Sequence, residues 1–358
     1  MTKKYLVGSD YYYFAWGPEE KEDLMCAVNS IPEIKRIVFF GPEEHEFANF
    51  FTNLGQYKDL ATELKRLNKE HIILTSAVED SRLNSLWPYK NQKNFVFWDS
   101  YFAYQVLQYY MERNIKPFEH NEKIDKHFIS LNARAHNWRC MFVDTMYKEG
   151  LFNHGYVSWH NADNWDYSYK FKYWKPKIIN FDENWINSTD GILDIMLPPE
   201  KQFKSSLFSV ISESSDQILK TTEKIYIPIY HKRPFIVYAA QYFYKFLQTQ
   251  GFVLFDEIFD YSFDNIPNDE YNDGKERCEA MMYETKKILN YDPNDLYKIL
   301  KPKIDHNYKA LYKLVKRQSV SDSVKLLIEN ANLVKKDFNY FTTFNLKDND
   351  KFKEFSKR

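Results

Sequence analysis

Ser209–Asp264, SVISESSDQILKTTEKIYIPIYHKRPFIVYAAQYFYKFLQTQGFVLFDEIFDYSFD, decides how the whole chain is read. Its apolar opening reads as a strand that runs into a loop of acids and hydroxyls at Ser212-Glu213-Ser214. Thr221-Thr222-Glu223-Lys224 is a step into a helix, and Phe235–Ala239 reads as a buried strand. A second helix ends at Gly251, and Phe252–Phe255 reads as a further strand that delivers Asp256. Strand–helix–strand alternation of this kind builds half of a parallel α/β sheet. Ligands of such sheets gather beyond the strand carboxyl ends, facing helix N-termini. Glu213, Thr222, Glu223 and Lys224 stand at that rim. Within the step, Ile225, Ile227 and Ile229 alternate with Tyr226, Pro228 and Tyr230, which by period alone could equally be a strand, while Thr221 or Thr222 suits a helix N-cap.

An equivalent unit lies upstream. His127–Leu131 reads as a strand, followed by Asn132-Ala-Arg134-Ala-His136-Asn137-Trp138-Arg139 and a helix to Lys148, with Gly150 placed to close its C-terminus. Trp138, Met141, Phe142, Thr145 and Met146 give that helix a packed face. Two arginines and a histidine at a strand-to-helix turn suit an anion, because guanidinium forks and free helix N–H groups both favour phosphate. The alternative is that both arginines pair with surface acids.

These two units together resemble the donor-binding half of the α-1,3-fucosyltransferase family, glycosyltransferase family 10. That family carries a phenylalanine-glutamate-asparagine-serine segment, a threonine-glutamate-lysine step, a helix and a short apolar strand. Here Ile211-Ser212-Glu213-Ser214 keeps the glutamate and final serine but lacks the asparagine. The resemblance places a helix after Thr222. It implies that Arg139, with Arg134 second, contacts a donor diphosphate, and that Lys224 meets the donor phosphate or ribose. Glu223 then faces sugar or ribose hydroxyls, and Asn132 belongs to an altered serine-asparagine pair, Ser130-Leu131-Asn132. A GDP-sugar follows from the resemblance alone.

Before this half, Tyr5–Gly8, Arg36–Gly41, His71–Thr75 and Phe95–Trp98 read as strands, with helical spacing at Leu60–Leu67 and Tyr101–Met111. The expected fold class is therefore α/β: two Rossmann-like domains facing across a cleft, the GT-B arrangement, with a helical C-terminal tail. Residues 1–118 form the acceptor domain, 119–126 the linker around Pro117-Phe-Glu-His, 127–300 the nucleotide-sugar domain, and 301–358 helices that return to the first domain. No G-x-G-x-x-G follows the early strands, which argues against dinucleotide binding there. Glu43, Glu44 and Glu46 are the candidate catalytic bases, since a carboxylate desolvated near a cleft can accept the acceptor proton. Taken singly, each of these acids is as well explained as the start of a helix opened by Pro42. Tyr11, Tyr12, Tyr13 and Trp16 suit stacking on a sugar, with core packing the default.

Composition narrows the classes. Aromatics make up 18% of the 358 residues and glycine numbers only nine, which excludes a low-complexity or disordered chain. A formal net charge of −1 gives no general attraction to nucleic acid or anionic lipid, so a modified DNA base as acceptor is disfavoured. Three widely spaced cysteines suit a reducing compartment and no metal cluster. With neither a signal-peptide core nor a membrane-span stretch, a soluble cytoplasmic protein is expected. His160, Asp163 and Asp166 match no metal motif, and Asp348-Asn349-Asp350 in a lysine-rich tail is poor ground for a metal-dependent transferase. No P-loop, H-E-x-x-H, G-x-S-x-G or paired C-x-x-C occurs. The expectation is a transferase without a cofactor or metal, moving a sugar from a nucleotide-sugar to a glycan or other hydroxyl acceptor, with inversion implied by the resemblance to the fucosyltransferase family. A non-catalytic glycan- or nucleotide-binding protein of the same fold is the alternative.

Overall fold

A computed structural model of the chain describes residues 3–7, 10–16, 34–41, 70–75, 95–97, 101–118, 123–160, 167–179, 181, 196–216, 219–267 and 274–317. The chain divides into two units, one of Met1–Tyr101 with Arg317–Arg358 and one of Phe102–Lys316.

In the first unit β1 (Lys3–Val7), β2 (Asp10–Trp16), β3 (Ile34–Gly41), β4 (Glu70–Thr75) and β5 (Phe95–Phe97) form one sheet in chain order. β1 and β2 are antiparallel, with Val7 opposite Asp10, and the remaining pairs are parallel. The four runs expected as strands are strands. A fifth, β2, runs through the Tyr11–Tyr13 and Trp16 stretch that the sequence offered as a stacking surface. Its aromatic composition is that of a strand. The Leu60–Leu67 helix and Glu43, Glu44 and Glu46 lie outside the described residues.

The second unit is α/β with a four-stranded, fully parallel sheet in the order β7-β6-β8-β9, made of β6 (Lys126–Ser130), β7 (Gly155–Val157), β8 (Ser206–Ser212) and β9 (Phe235–Tyr238). Every residue of β8 and β9 is buried, as expected of central parallel strands covered on both faces. The helices are α1 (Tyr101–Glu112), α2 (Asn137–Lys148), α3 (Glu200–Lys204), α4 (Glu223–Tyr230), α5 (Phe243–Gln250), α6 (Lys275–Lys286) and α7 (Pro293–Arg317). Phe128, Phe142, Phe208, Ile236 and Leu247 are fully buried in its core.

Three expectations change here. The boundary does not fall at 119–126: α1 packs in the second unit, because Tyr110 stacks on Tyr230 at 4.3 Å and donates its hydroxyl to the Met196 carbonyl. Phe252–Phe255 is not a strand and joins no sheet among the described residues. Asn307 of α7 takes the place of a neighbouring strand, donating to the Val253 carbonyl at 2.9 Å and accepting from its N–H at 2.8 Å. Residues 301–316 consequently do not return to the first domain; they continue α7, which buries Leu300, Ile304, Leu311 and Val315 in the second unit. The rest of the tail, 318–358, lies outside the described residues.

The helix after Thr222 is present, with Pro228 inside it. From Ile225 to Tyr230 it is buried all round, so it has no polar face and its sequence carries no 3.6-residue period. Its C-terminus closes with Lys232 in the left-handed region at φ 55, Lys232 N–H bonding to the Ile229 carbonyl and Arg233 N–H to the Pro228 carbonyl. This is the Schellman pattern. Gly150 and Gly251 take the same left-handed position after α2 and α5, as the sequence indicated. The aromatic run before Trp174 packs within the second unit: Asp144 of α2, fully buried, accepts from Tyr169 Oη and from the N–H groups of Lys172, Tyr173 and Trp174. Among the described residues no helix is long and apolar enough to cross a membrane.

Candidate functional site

The strand order 7-6-8-9 reverses direction between β6 and β8. From β6 the chain steps outward to β7, then returns to the other side of β6 to lay down β8 and β9. Crossover connections on the two sides leave a crevice beyond the carboxyl ends of β6 and β8, the usual ligand position in open parallel sheets. The segments leaving those two ends are Leu131–Arg139 and Glu213–Lys224. Arg134, Asn132, Arg139, Glu213, Ser214, Thr222, Glu223 and Lys224 therefore gather at one topological point.

Glu213 is the centre of the arrangement. It is 1% exposed, and its carboxylate accepts from Ser214 N–H at 2.7 Å, from Thr222 N–H at 2.9 Å and from Thr222 Oγ1 at 2.7 Å. Thr222 is itself the N-cap of α4, its Oγ1 accepting from Lys224 N–H at 3.4 Å. Lys224 Nζ stands 3.9 Å from Glu213 Oε2, an electrostatic contact beyond hydrogen-bond length. Burial pushes the Glu213 carboxyl above its ordinary range, against the opposing pull of Lys224 and of the Thr222 and Ser214 hydrogen bonds.

Arg139 reaches the same residue from the other side. It is 3% exposed, donating from Nη1 to the Arg134 carbonyl at 2.7 Å and from Nη2 to the Glu213 carbonyl at 3.4 Å. Trp138 adds an indole N–H to the Glu213 carbonyl at 3.1 Å and stacks on His136 at 4.5 Å, nearly parallel. Burial lowers the Arg139 guanidinium to about 10, with Glu213 pulling the other way. It remains a cation at neutral pH. Arg139 therefore braces the turn as well as carrying charge, and its removal is a structural change. Arg134 and Lys224 are partly exposed and Arg139 is not.

Asn132 is 1% exposed and pins β6 to β7, its amide donating to Ser130 Oγ at 3.1 Å and to the Ser158 carbonyl at 3.2 Å. Among the described residues, four buried polar atoms around this crevice have no hydrogen-bond partner: Asn132 Oδ1, Arg139 Nε, Ser212 Oγ and Ser214 Oγ. Buried polar atoms are nearly always bonded, and an orphaned set on two adjacent strand ends calls for an occupant such as a ligand or ordered water. Ser158 is not singled out by the sequence, and Ser212 and Trp138 are named there without a role in the site. Trp138 was read only as packing, although it directly precedes Arg139.

The candidate bases Glu43, Glu44 and Glu46 lie outside the described residues, as do Asp163 and Asp166. Asp256, expected at a strand end, is exposed and paired with Lys303 of α7. Among the described residues no group of three or more His, Cys, Asp or Glu is placed to hold a metal ion. No protein-family model, curated protein or solved structure matches this chain.

Proposed function

We propose that the chain is a glycosyltransferase that binds a nucleotide-sugar at the β6–β8 switch point and passes the sugar to a hydroxyl acceptor. The observation that carries the reading is the convergence of Arg139 and Lys224, far apart in sequence, on one residue, Glu213, beside unpartnered buried polar atoms. Two cations and the first turn of α4 suit a diphosphate, whose negative charge grows as the sugar departs. The resemblance to α-1,3-fucosyltransferases supplies the reaction class. In it the acceptor oxygen attacks the anomeric carbon, the bond from that carbon to the diphosphate oxygen breaks, and the electron pair leaves with the nucleoside diphosphate. The acceptor proton goes to a carboxylate, for which Glu43, Glu44 and Glu46 remain the proposed candidates, in a GT-B arrangement of the two units. Glu213 itself acts through Thr222 and Lys224 as a positioning residue, its carboxylate being occupied by internal donors.

The test is a thermal-shift screen of nucleotide-sugars, because a ligand that binds only the folded chain raises its melting temperature. Calorimetry then compares parent, Lys224→Ala and Glu223→Gln with the donor that scores. Lys224→Ala is expected to fold and to bind at least about tenfold more weakly, the equivalent of ~1.4 kcal/mol. A donor bound equally by parent and Lys224→Ala rejects the site. Binding without transfer to any acceptor in a hydroxyl panel moves the chain to the non-catalytic alternative.

A further inference from the structure

A second cluster lies where α4 passes to β9, at the amino ends of the strands, the end of the sheet opposite the crevice. Arg233 is 2% exposed, and among the described residues none of its guanidinium nitrogens Nε, Nη1 and Nη2 has a hydrogen-bond partner. Its Cζ stands 5.7 Å from the centre of the Phe203 ring. His231, two residues earlier, is fully buried, stacked on Phe118 at 4.0 Å and set edge-on to Phe203 at 5.6 Å. Its Nδ1 accepts from the Phe118 N–H at 3.1 Å, which puts the ring proton on Nε2, and Nε2 is also without a partner. Phe203 therefore borders two groups that offer only N–H donors; among the described residues no acceptor is hydrogen-bonded to them, and Tyr297 of α7 favours the Arg233 charge from nearby.

Such a set is costly if it is left empty. A buried cation without a counter-charge loses its hydration, which the Phe203 ring face and Tyr297 repay only in part, and each unmade buried hydrogen bond adds to the loss. Neutralisation is not available to the arginine. Burial brings its guanidinium down to about 9, which still leaves it charged at neutral pH. The imidazole is different: burial, with Arg233 adding to it, holds it down at about 3, so at neutral pH it is an uncharged donor. The cluster thus presents one positive charge, a planar guanidinium fork and one neutral N–H. That combination matches a small oxyanion bearing a single negative charge, with two oxygens for the fork.

We propose that Arg233 and His231 form a binding site for a small monovalent oxyanion of the carboxylate or phosphate class. The anion's oxygens accept from the guanidinium and from His231 Nε2–H, and the Phe118 and Phe203 rings exclude water around it. The site is independent of the switch-point crevice and of the function proposed for it.

The test uses the full chain at pH 6.5, with acetate and phosphate titrated against chloride at matched ionic strength, followed by melting temperature and by calorimetry. The expected result is a saturable rise in melting temperature with acetate or phosphate beyond the chloride control, with one anion bound per chain. Acetate acting alone identifies a carboxylate ligand, and phosphate acting alone a phosphate. Arg233→Met is expected to abolish the response and Lys224→Ala to keep it. Should Arg233→Met fail to fold, Arg233→Lys, which keeps the charge and loses the fork, is expected to bind at least tenfold more weakly. The proposal is overturned if neither anion exceeds chloride, if the response disappears in Lys224→Ala, or if Arg233→Lys binds as the parent does. It is also overturned if Glu119→Gln/Glu122→Gln destabilises the parent but not Arg233→Met, since a carboxylate of the chain would then be the counter-charge.

Discussion

Both the N–H and the hydroxyl of Thr222 bond to the carboxylate of Glu213, at 2.9 Å and 2.7 Å. This ties the carboxyl end of β8 to the first turn of α4 and sets where Lys224 stands. The capping hydroxyl donates to a buried carboxylate and at the same time accepts from a helix N–H, so one oxygen joins two elements.

Thr222→Val keeps the shape and removes that oxygen. The loss of an N-cap costs about 1 kcal/mol, and a hydrogen bond to a buried charged group about 1.5–3 kcal/mol. The variant is expected to unfold at lower urea, with a loss of roughly 2.5–4 kcal/mol by those figures. Nucleotide-sugar affinity should fall as well, since the α4 start shifts. Thr222→Ser restores the hydroxyl and is expected to recover most of both. Equal stability of Thr222→Val and parent in urea unfolding would show that the bridge contributes nothing.

Much of this arrangement was legible in the sequence, and the exceptions have physical causes. The apolar run to Ser212, the Thr-Thr-Glu-Lys step and the left-handed glycines mark element ends through local chemistry, which sequence carries directly. The α4 helix was ambiguous because a helix buried on every side loses its amphipathic period, leaving Ile225–Tyr230 to alternate like a strand. Phe252–Phe255 reads as a strand because it is a short apolar run, yet the backbone N–H and carbonyl of Val253 are taken by a side chain from α7, 54 residues on. Nothing local announces such a partner. Arg139 was recognised as a cation, but its burial was not foreseen, because burial follows from Trp138 and the Glu213 carbonyl closing over it.

Asn307 makes that last substitution for a strand testable. It is 2% exposed and satisfies both the N–H and the carbonyl of Val253. Asn307→Ala leaves both backbone groups without their partner, at about 1–3 kcal/mol for each one kept from water. A loss of roughly 2–4 kcal/mol is expected in urea unfolding, allowing for partial hydration of the half-exposed Val253. Asn307→Asp, which keeps the acceptor but turns a buried carboxylate oxygen toward the Val253 carbonyl, should lose at least as much. A variant as stable as the parent would mean that water replaces the amide without cost.

Gly155 opens β7 directly over Phe128 of β6, where a Cβ would come within 2.4 Å of the ring. Phe128 is fully buried, so the ring has little room to retreat. Overpacking of this kind costs about 1–3 kcal/mol. Gly155→Ala is expected to lower the melting temperature, and the double variant Gly155→Ala/Phe128→Leu to recover part of the loss. Additive losses in that double-mutant cycle would show that the two positions do not interfere.

The buried histidines set the acid limit. His231 is held at about 3 by burial, with Arg233 adding to it, and His160 at about 4 by burial. Unfolded, each takes up its proton near pH ~6.5, so between that value and its folded value the unfolded chain binds more protons. Their contribution to stability is complete above about pH 6.5 and is lost as pH falls, at about 1.4 kcal/mol per pH unit for each histidine once well below that pH. Asp264 works in the opposite sense. Burial raises it to about 6, against the hydrogen bonds from the α5 N-terminus, so the folded chain takes its proton first and gains stability as pH falls below 6. The decline should therefore begin near pH ~6.5 and become shallower below about 6. His231→Gln, whose amide oxygen can still accept from Phe118 N–H, removes one titrating group. It is expected to reduce the slope of unfolding free energy against pH by about 1.4 kcal/mol per unit relative to the parent. The measurement is a urea series at pH 7.5, 6.5, 5.5 and 4.5. Parallel pH profiles for parent and variant would mean that His231 takes up its proton in the folded chain as readily as in the unfolded one, which its burial among Phe118, Phe203 and Tyr110 does not allow.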